Sequence, residues 1–289
     1  MEFDYLLTVL LSSLSSASIL LIAAMGLAVV FGLMGVINLA HSEFLMIGAY
    51  TALTLTKLGV PYLLSIPLAV AFTMLMGAIV EVLIIRRLYG RLFDTMLATW
   101  GLSMFFMQLV VVLFGTSTAS VATIPSFSIN IGEYSLDGYR LLMIAIAALM
   151  FLFVYTLMTK TVYGMKARAS IQQPQMAQAI GIDSNKVNTL TFAIGCGMAG
   201  FAGAILLPLV PATPTMGLAF AVKSFLAVVV AGPVALTGTV LTTLGLGGGA
   251  SITASFLSSV IGEVFFFLIT ALLLWLYPFG VSVKWRRKL

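Results

Sequence analysis

The chain has 289 residues, 61% of them apolar and only 8% charged, against about 25% charged in soluble domains. With a mean hydropathy of +1.17, such a chain folded in water would expose apolar patches, which excludes a soluble domain and points to a polytopic protein held in a lipid bilayer. The net charge of +5 does not call for nucleic acid, because the basic residues fall in short clusters between apolar runs.

Met1-Glu2-Phe3-Asp4 lacks a basic n-region, and the apolar run after it is too long for a signal peptide, so residue 1 is expected in the mature protein. Only helices or closed barrels satisfy every backbone group in lipid, and continuous runs of about 20 apolar residues are helices. The expected spans are 8–33, 38–57, 61–85, 95–114, 140–159, 188–208, 219–236 and 251–281, with 238–250 open between a short span and a re-entrant pair. The expected fold is all-α, one transmembrane domain over 1–289, with about 8–10 crossings and at least one broken or re-entrant helix.

Basic residues in short loops mark the cytoplasmic side. Arg86, Arg87 and Arg91 form one cluster, Lys160, Lys166, Arg168 and Lys186 a second, and Lys284, Arg286, Arg287 and Lys288 a third. Glu2, Asp4, Glu133 and Asp137 then fall outside, which sets the N-terminus out, the C-terminus in and an odd number of crossings.

The stretch 32–44 interrupts this apolar pattern. No charged side chain occurs between Tyr5 and Ala40, and then Asn38, His41, Ser42 and Glu43 arrive together, with the only histidine of the chain. Ionisable groups at membrane depth are functional candidates. Glu43, Tyr50 and Thr54 share one helix face, beside Met46 and Ile47, while Asn38, His41 and Ser42 occupy another. Two readings stand here: a polar site within the membrane, or a wet cytoplasmic turn.

Further along, Glu81 lies about one turn from Arg86 and is expected to be its neighbour. Residues 115–139 form an outer loop with Pro125 and no amphipathic pattern. The longest inner loop, 160–187, predicts a short helix from Gln175 to Ile182, with Met176, Ala179 and Ile180 on one face and Gly181 as its stop. That apolar face needs a partner. Gly195, Ala199 and Gly203 recur at spacing four, which lets two membrane helices approach closely; Cys196 between them reads as a small packing residue. In 208–218, prolines 208, 211 and 214 favour a stiff polyproline-II-like segment. Lys223 and Glu263 lie near the outer face, where each is expected to snorkel to solvent, pairing being the alternative. The glycines 245, 247, 248 and 249 suit a broken helix.

There is no P-loop, no cluster with metal-ligand spacing and no nucleophile–base arrangement. The chain is therefore not expected to be an enzyme, and it cannot drive transport by its own nucleotide hydrolysis.

Gly32-Leu-Met-Gly-Val-Ile-Asn-Leu-Ala-His-Ser-Glu-Phe-Leu-Met-Ile-Gly-Ala-Tyr50, with Arg168 through Gln-Met-Ala-Gln-Ala-Ile-Gly181-Ile, Leu190 to Gly195 and Ala199 to Gly203, resembles bacterial ABC-importer permeases of the branched-chain amino acid and urea class. The resemblance implies an inner-membrane subunit that pairs with a sister permease, sits on two cytoplasmic ATPases and receives substrate from a periplasmic or lipid-anchored binding protein. It implies no cofactor on this chain, with ATP and Mg on the ATPases. It makes Gln175, Met176, Ala177, Ala179, Ile180 and Gly181 the coupling segment, with 115–139 and 208–218 as contacts for the binding protein. Asn38, His41, Glu43, Tyr50 and Thr54 become the core signature and translocation path, the first three fixing the inner end of a central helix or lining the exit. Asp94 to Ser103 and Leu236 to Gly247 look more like the urea or short-amide permeases, so urea or small amides are the expected substrate, with branched-chain amino acids the alternative. Ser42 stands where the family has glycine, and Val230 to Gly238, with Pro233, departs from its glycine run. A proton-coupled secondary transporter relaying through Glu43 and His41 is the rival from another class.

Overall fold

The computed structural model describes residues 2–121, 128–131, 134–232, 235–278 and 280–282. Pro125, Glu133, Pro233 and the basic cluster at 284–288 lie outside them. The described chain is helical apart from one short hairpin, in accord with the all-α membrane fold expected. It divides into two compact units, 1–24 with 122–151 and 223–289, and 25–121 with 152–222.

In the second unit lie the end of α1 (Glu2–Met34), α2 (His41–Lys57), α3 (Tyr62–Leu83) and α4 (Leu92–Phe114), then the end of α5 (Gly138–Lys160), α6 (Val162–Gln172), α7 (Pro174–Ala179), α8 (Ser184–Leu206) and the start of α9 (Met216–Ala231). Its core is α8, whose small residues are spread over several faces. A methyl added at Gly203 would overlap the Leu45 carbonyl of α2, one at Gly195 would overlap Val30 of α1, and one at Gly200 would overlap Thr73 of α3. Of the residues expected on one packing face, Gly195 and Gly203 thus meet two different neighbours, and Ala199 between them is fully buried. Cys196 packs against Gly77 of α3.

In the first unit, β1 (Ser128–Ile131) pairs antiparallel with β2 (Tyr134–Asp137), so the stretch 115–139, expected as a loop, holds a hairpin. Three further helices follow α9: α10 (Ala235–Thr242), α11 (Gly249–Phe256) and α12 (Ser259–Leu276). A π-helical turn, Thr243–Gly248, joins α10 to α11, so the glycine-rich run is the middle of one helical stretch. The break falls before it instead, where α9 and residues 236–256 meet at 118°. Glycine is needed in the π-helical turn because a Cβ at Gly247 would approach Ala17 Cα to 3.2 Å. Leu20, Ala227, Leu246 and Phe266 close the core of this unit.

Two span assignments change. The expected span 251–281 is a helical hairpin, because Ser258 leaves helical geometry and its hydroxyl accepts from the Ile261 N–H to start α12. Among the described residues six helices are long and apolar enough to cross a membrane, or seven counting the bent pair as one span, against the eight to ten expected. Helices α2, with 17 residues, and α9, with 16, stand at the short end of the about 17–25 residues that a crossing takes. Nor is 208–218 a polyproline-II rod. Val210 N–H donates to Leu206 O and Met216 N–H to Thr213 O, turn bonds that such a rod lacks, and Ala212 pairs with Ala119 instead.

Candidate functional site

After α1 the chain turns at Gly35 (φ +62°) and re-enters the protein through an unwound segment. Asn38 Oδ1 accepts from Ala40 N–H, and His41 N–H donates to Asn38 O, which starts α2. The unwound backbone leans on α4, where Leu39 N–H donates to Thr99 Oγ1. One turn later Ser103 Oγ donates to Glu43 Oε1 at 3.0 Å.

These contacts fix the depth of the stretch. Ser103 is eleven residues from either end of the 23-residue α4, so about 16 Å of helix lies on each side of the Glu43 carboxylate. Asn38, His41, Ser42 and Glu43 are each 2–3% exposed. The wet-turn reading is excluded by that burial; Asn38 and His41 start α2, and Glu43 in its first turn stands level with the middle of α4. The physical reason is the break at 35–40, which lets the chain fold back beside α1. Gly26 makes room for the return, since a Cβ there would lie 2.8 Å from the His41 ring.

Glu43 has no ion-pair partner among the described residues, and its Oε2 accepts no hydrogen bond. That oxygen faces the start of α9, where a Cβ on Gly217 would lie 2.6 Å from it. The Asn38 side-chain nitrogen is likewise buried without an acceptor. Glu43, Tyr50 and Thr54 do share the α2 face expected of them. Beyond Glu43 that face opens into a cavity of about 290 Å³ between α2, α3 and α4, lined by Ile47, Tyr50 and Thr54 with Phe72, Phe106 and Val110 among others. Tyr50 stacks at a tilt on Phe114, ring centroids 4.9 Å apart.

A second polar cluster closes one end of α3, α4 and α8. Glu81, fully buried, accepts from Arg86 Nη2 at 3.0 Å, Tyr89 Oη at 2.6 Å and Thr189 Oγ1 at 2.7 Å. The expected Glu81–Arg86 neighbourhood holds. Burial and the Glu81 carboxylate push the Tyr89 hydroxyl well above its usual range. In the other unit Lys223 and Glu263 pair at 2.9 Å, the alternative to separate snorkelling.

Beyond this cluster α6 and α7 form a protruding pair before α8. Thr161 caps α6, and the Arg168 guanidinium donates to the Met158 carbonyl, folding α6 back on α5. Pro174 opens α7 as first-turn prolines do, Gly181 ends it with φ +85°, and Asp183 caps α8 by accepting from Asn185 and Lys186 N–H. Those backbone bonds hold the Asp183 carboxyl below its ordinary value. Met176 is 61% and Ile180 72% exposed, with Gln175 and Ala179 also in the open. Ala177 is 3% exposed and anchors the turn, so it lies off the exposed face.

Four contributors were not expected from the sequence. Ser103 and Thr99 belong to a stripe, Thr95–Thr99–Ser103 at spacing four, that marks a polar helix face. Gly217 gave no such signal, because its role depends on where α9 starts. Helix α6 was hidden by Lys166 and Arg168, although its buried side, Gly164–Ala167–Ser170, runs at spacing three. Among the described residues no group of three or more His, Cys, Asp or Glu side chains could hold a metal ion.

Residues 9–277 match the family described as branched-chain amino acid transport system permease component. The chain is 28% identical to the high-affinity branched-chain amino acid transport system permease protein BraD of Pseudomonas aeruginosa, over 97% of the chain and 96% of the relative. It is 25% identical to the probable branched-chain amino acid transport permease protein LivH of Methanocaldococcus jannaschii, over 94% and 91%. To LivH of Escherichia coli K12 it is 24% identical over 97% and 96%. No solved structure matches the chain.

Proposed function

Since the chain belongs to the branched-chain amino acid transport permease family, we propose that it is the membrane subunit of an ATP-driven importer for branched-chain amino acids. The relatives carry the substrate assignment, being named for that transport over nearly their whole length; the urea-like segments 94–103 and 236–247 find no support among them. Glu43 and the cavity favour the same choice, since a zwitterion and an aliphatic side chain suit a carboxylate beside apolar walls better than urea does.

The observation that carries the mechanism is α7. A six-residue helix between a first-turn proline and a left-handed glycine, showing Met176 and Ile180 to solvent, is a rigid knob with an apolar tip. It suits insertion into a cytoplasmic ATPase. The cluster around Glu81 ties the start of α8 to the end of α3, so a push on α7 is passed to the helices that hold the Asn38–Glu43 site. In this account the chain pairs with a sister permease, two ATPases hold ATP and Mg, and a binding protein delivers substrate to the opposite face. The α7 end is cytoplasmic, the N-terminus is outside the inner membrane, and this chain carries no cofactor.

The substrate test is competition. With the importer reconstituted with its binding protein, labelled leucine uptake is expected to fall with excess valine or isoleucine and to persist in excess urea. Urea uptake that ignores leucine would overturn the assignment.

A further inference from the structure

We propose that the seam between α2 and α4 recognises the amino-acid substrate itself, Glu43 taking the ammonium group and the adjoining cavity the aliphatic side chain. This rests on the branched-chain reading above and gives it a site.

The seam carries two complementary features. At the level of Ser103, Glu43 presents a carboxylate oxygen that is buried, without a cationic neighbour among the described residues and without a hydrogen-bond donor. A buried charge in this condition is costly and is kept where a ligand supplies the missing partner. An ammonium group supplies both charge and donors. One helical turn further, about 6 Å along α2, Ile47 opens the cavity, with Phe106 and Val110 across from it. Its 290 Å³ lies just under the pocket range of drug-sized ligands, about 300–1,000 Å³, so a small occupant fits.

The polar atoms of that cavity leave urea few partners. Thr51 and Thr54 spend their hydroxyls on the Ile47 and Tyr50 carbonyls, both at 2.7 Å. As a donor, the Tyr50 hydroxyl is left, buried and without a partner. Urea would find one free O–H donor for its carbonyl and two threonine oxygens for its four N–H groups, whereas a branched aliphatic group asks for none. A lipid tail also tolerates apolar walls, yet it offers nothing to the Glu43 carboxylate one turn away. Gly217 at the start of α9 faces that carboxylate, a Cβ there falling 2.6 Å from Oε2, so an ammonium at Oε2 would sit beside the start of α9.

The probe is a leucine analogue with a side-chain diazirine, applied to the assembled importer in lipid nanodiscs with its binding protein and ATP. Photolysis is expected to label peptides covering 44–57 and 104–114, with excess leucine suppressing the label about tenfold and urea leaving it. Val110→Phe, which fills the cavity, and Glu43→Gln, which removes the charge, are each expected to cut labelling about tenfold in complexes that still co-purify with the ATPases. Label confined to other helices, or cavity peptides labelled only by a diazirine fatty acid, would overturn the site. Leucine uptake by the unaltered importer separates the two levels: uptake without label at the seam removes this inference alone, while absence of uptake removes the substrate reading as well.

Discussion

Ser103 on α4 donates to Glu43 on α2 at the midpoint of α4, and among the described residues it is the single hydrogen bond made by that carboxylate. Ser103→Ala should destabilise the purified protein by about 1–3 kcal/mol, because it strands a buried acceptor. Glu43→Gln keeps an acceptor for Ser103 and sheds the charge. Its thermal midpoint should equal or exceed that of the unaltered protein while transport falls at least about tenfold. Loss of stability in step with transport would make Glu43 a packing residue.

Gly217→Ala places a methyl 2.6 Å from Glu43 Oε2 and 2.8 Å from the Ser42 carbonyl. The start of α9 must move, and overpacking of this kind costs about 1–3 kcal/mol. Proteolysis in the 208–216 turn should accelerate in the variant, and an unchanged cleavage rate would contradict the contact.

Glu81→Ala removes the acceptor shared by Arg86, Tyr89 and Thr189. Arg86 is partly solvated, so the loss should be about 2–3 kcal/mol rather than the full cost of a buried charge pair. If the cluster transmits movement from α7, the variant should also retain ATPase binding while uncoupling hydrolysis from uptake.

Met176→Asp and Ile180→Asp should abolish co-purification with the ATPase without changing the thermal midpoint, since both side chains are exposed. Ala179→Asp should do the same. Ala177→Asp, placed at a buried position, should instead lower stability. An Ile180→Asp variant that retains the ATPase would remove α7 from the coupling role.

The helical membrane fold, the α7 turn and the α8 packing face were legible in the sequence because each rests on local pattern: apolar run length, a proline-to-glycine frame, small residues at spacing four. The depth of Glu43 was not. Charge asymmetry places residues 32–44 toward the cytoplasmic side, but the chain breaks at Gly35 and returns beside Gly26, a tertiary event with no local period. The same holds for the 251–281 stretch, whose apolar run continues through the turn that Ser258 caps. Composition there favours one long helix, and packing of Gly262 on Ala254 makes it a hairpin.

The most direct measurement is labelled leucine uptake into proteoliposomes holding this chain, its sister permease, the ATPases and the binding protein. Uptake is expected to require ATP, to stop when the ATPases cannot hydrolyse it, and to be indifferent to collapse of the proton gradient. Uptake that persists without ATP and vanishes with the proton gradient would contradict that expectation, and would make Glu43 and His41 the relay of a secondary transporter.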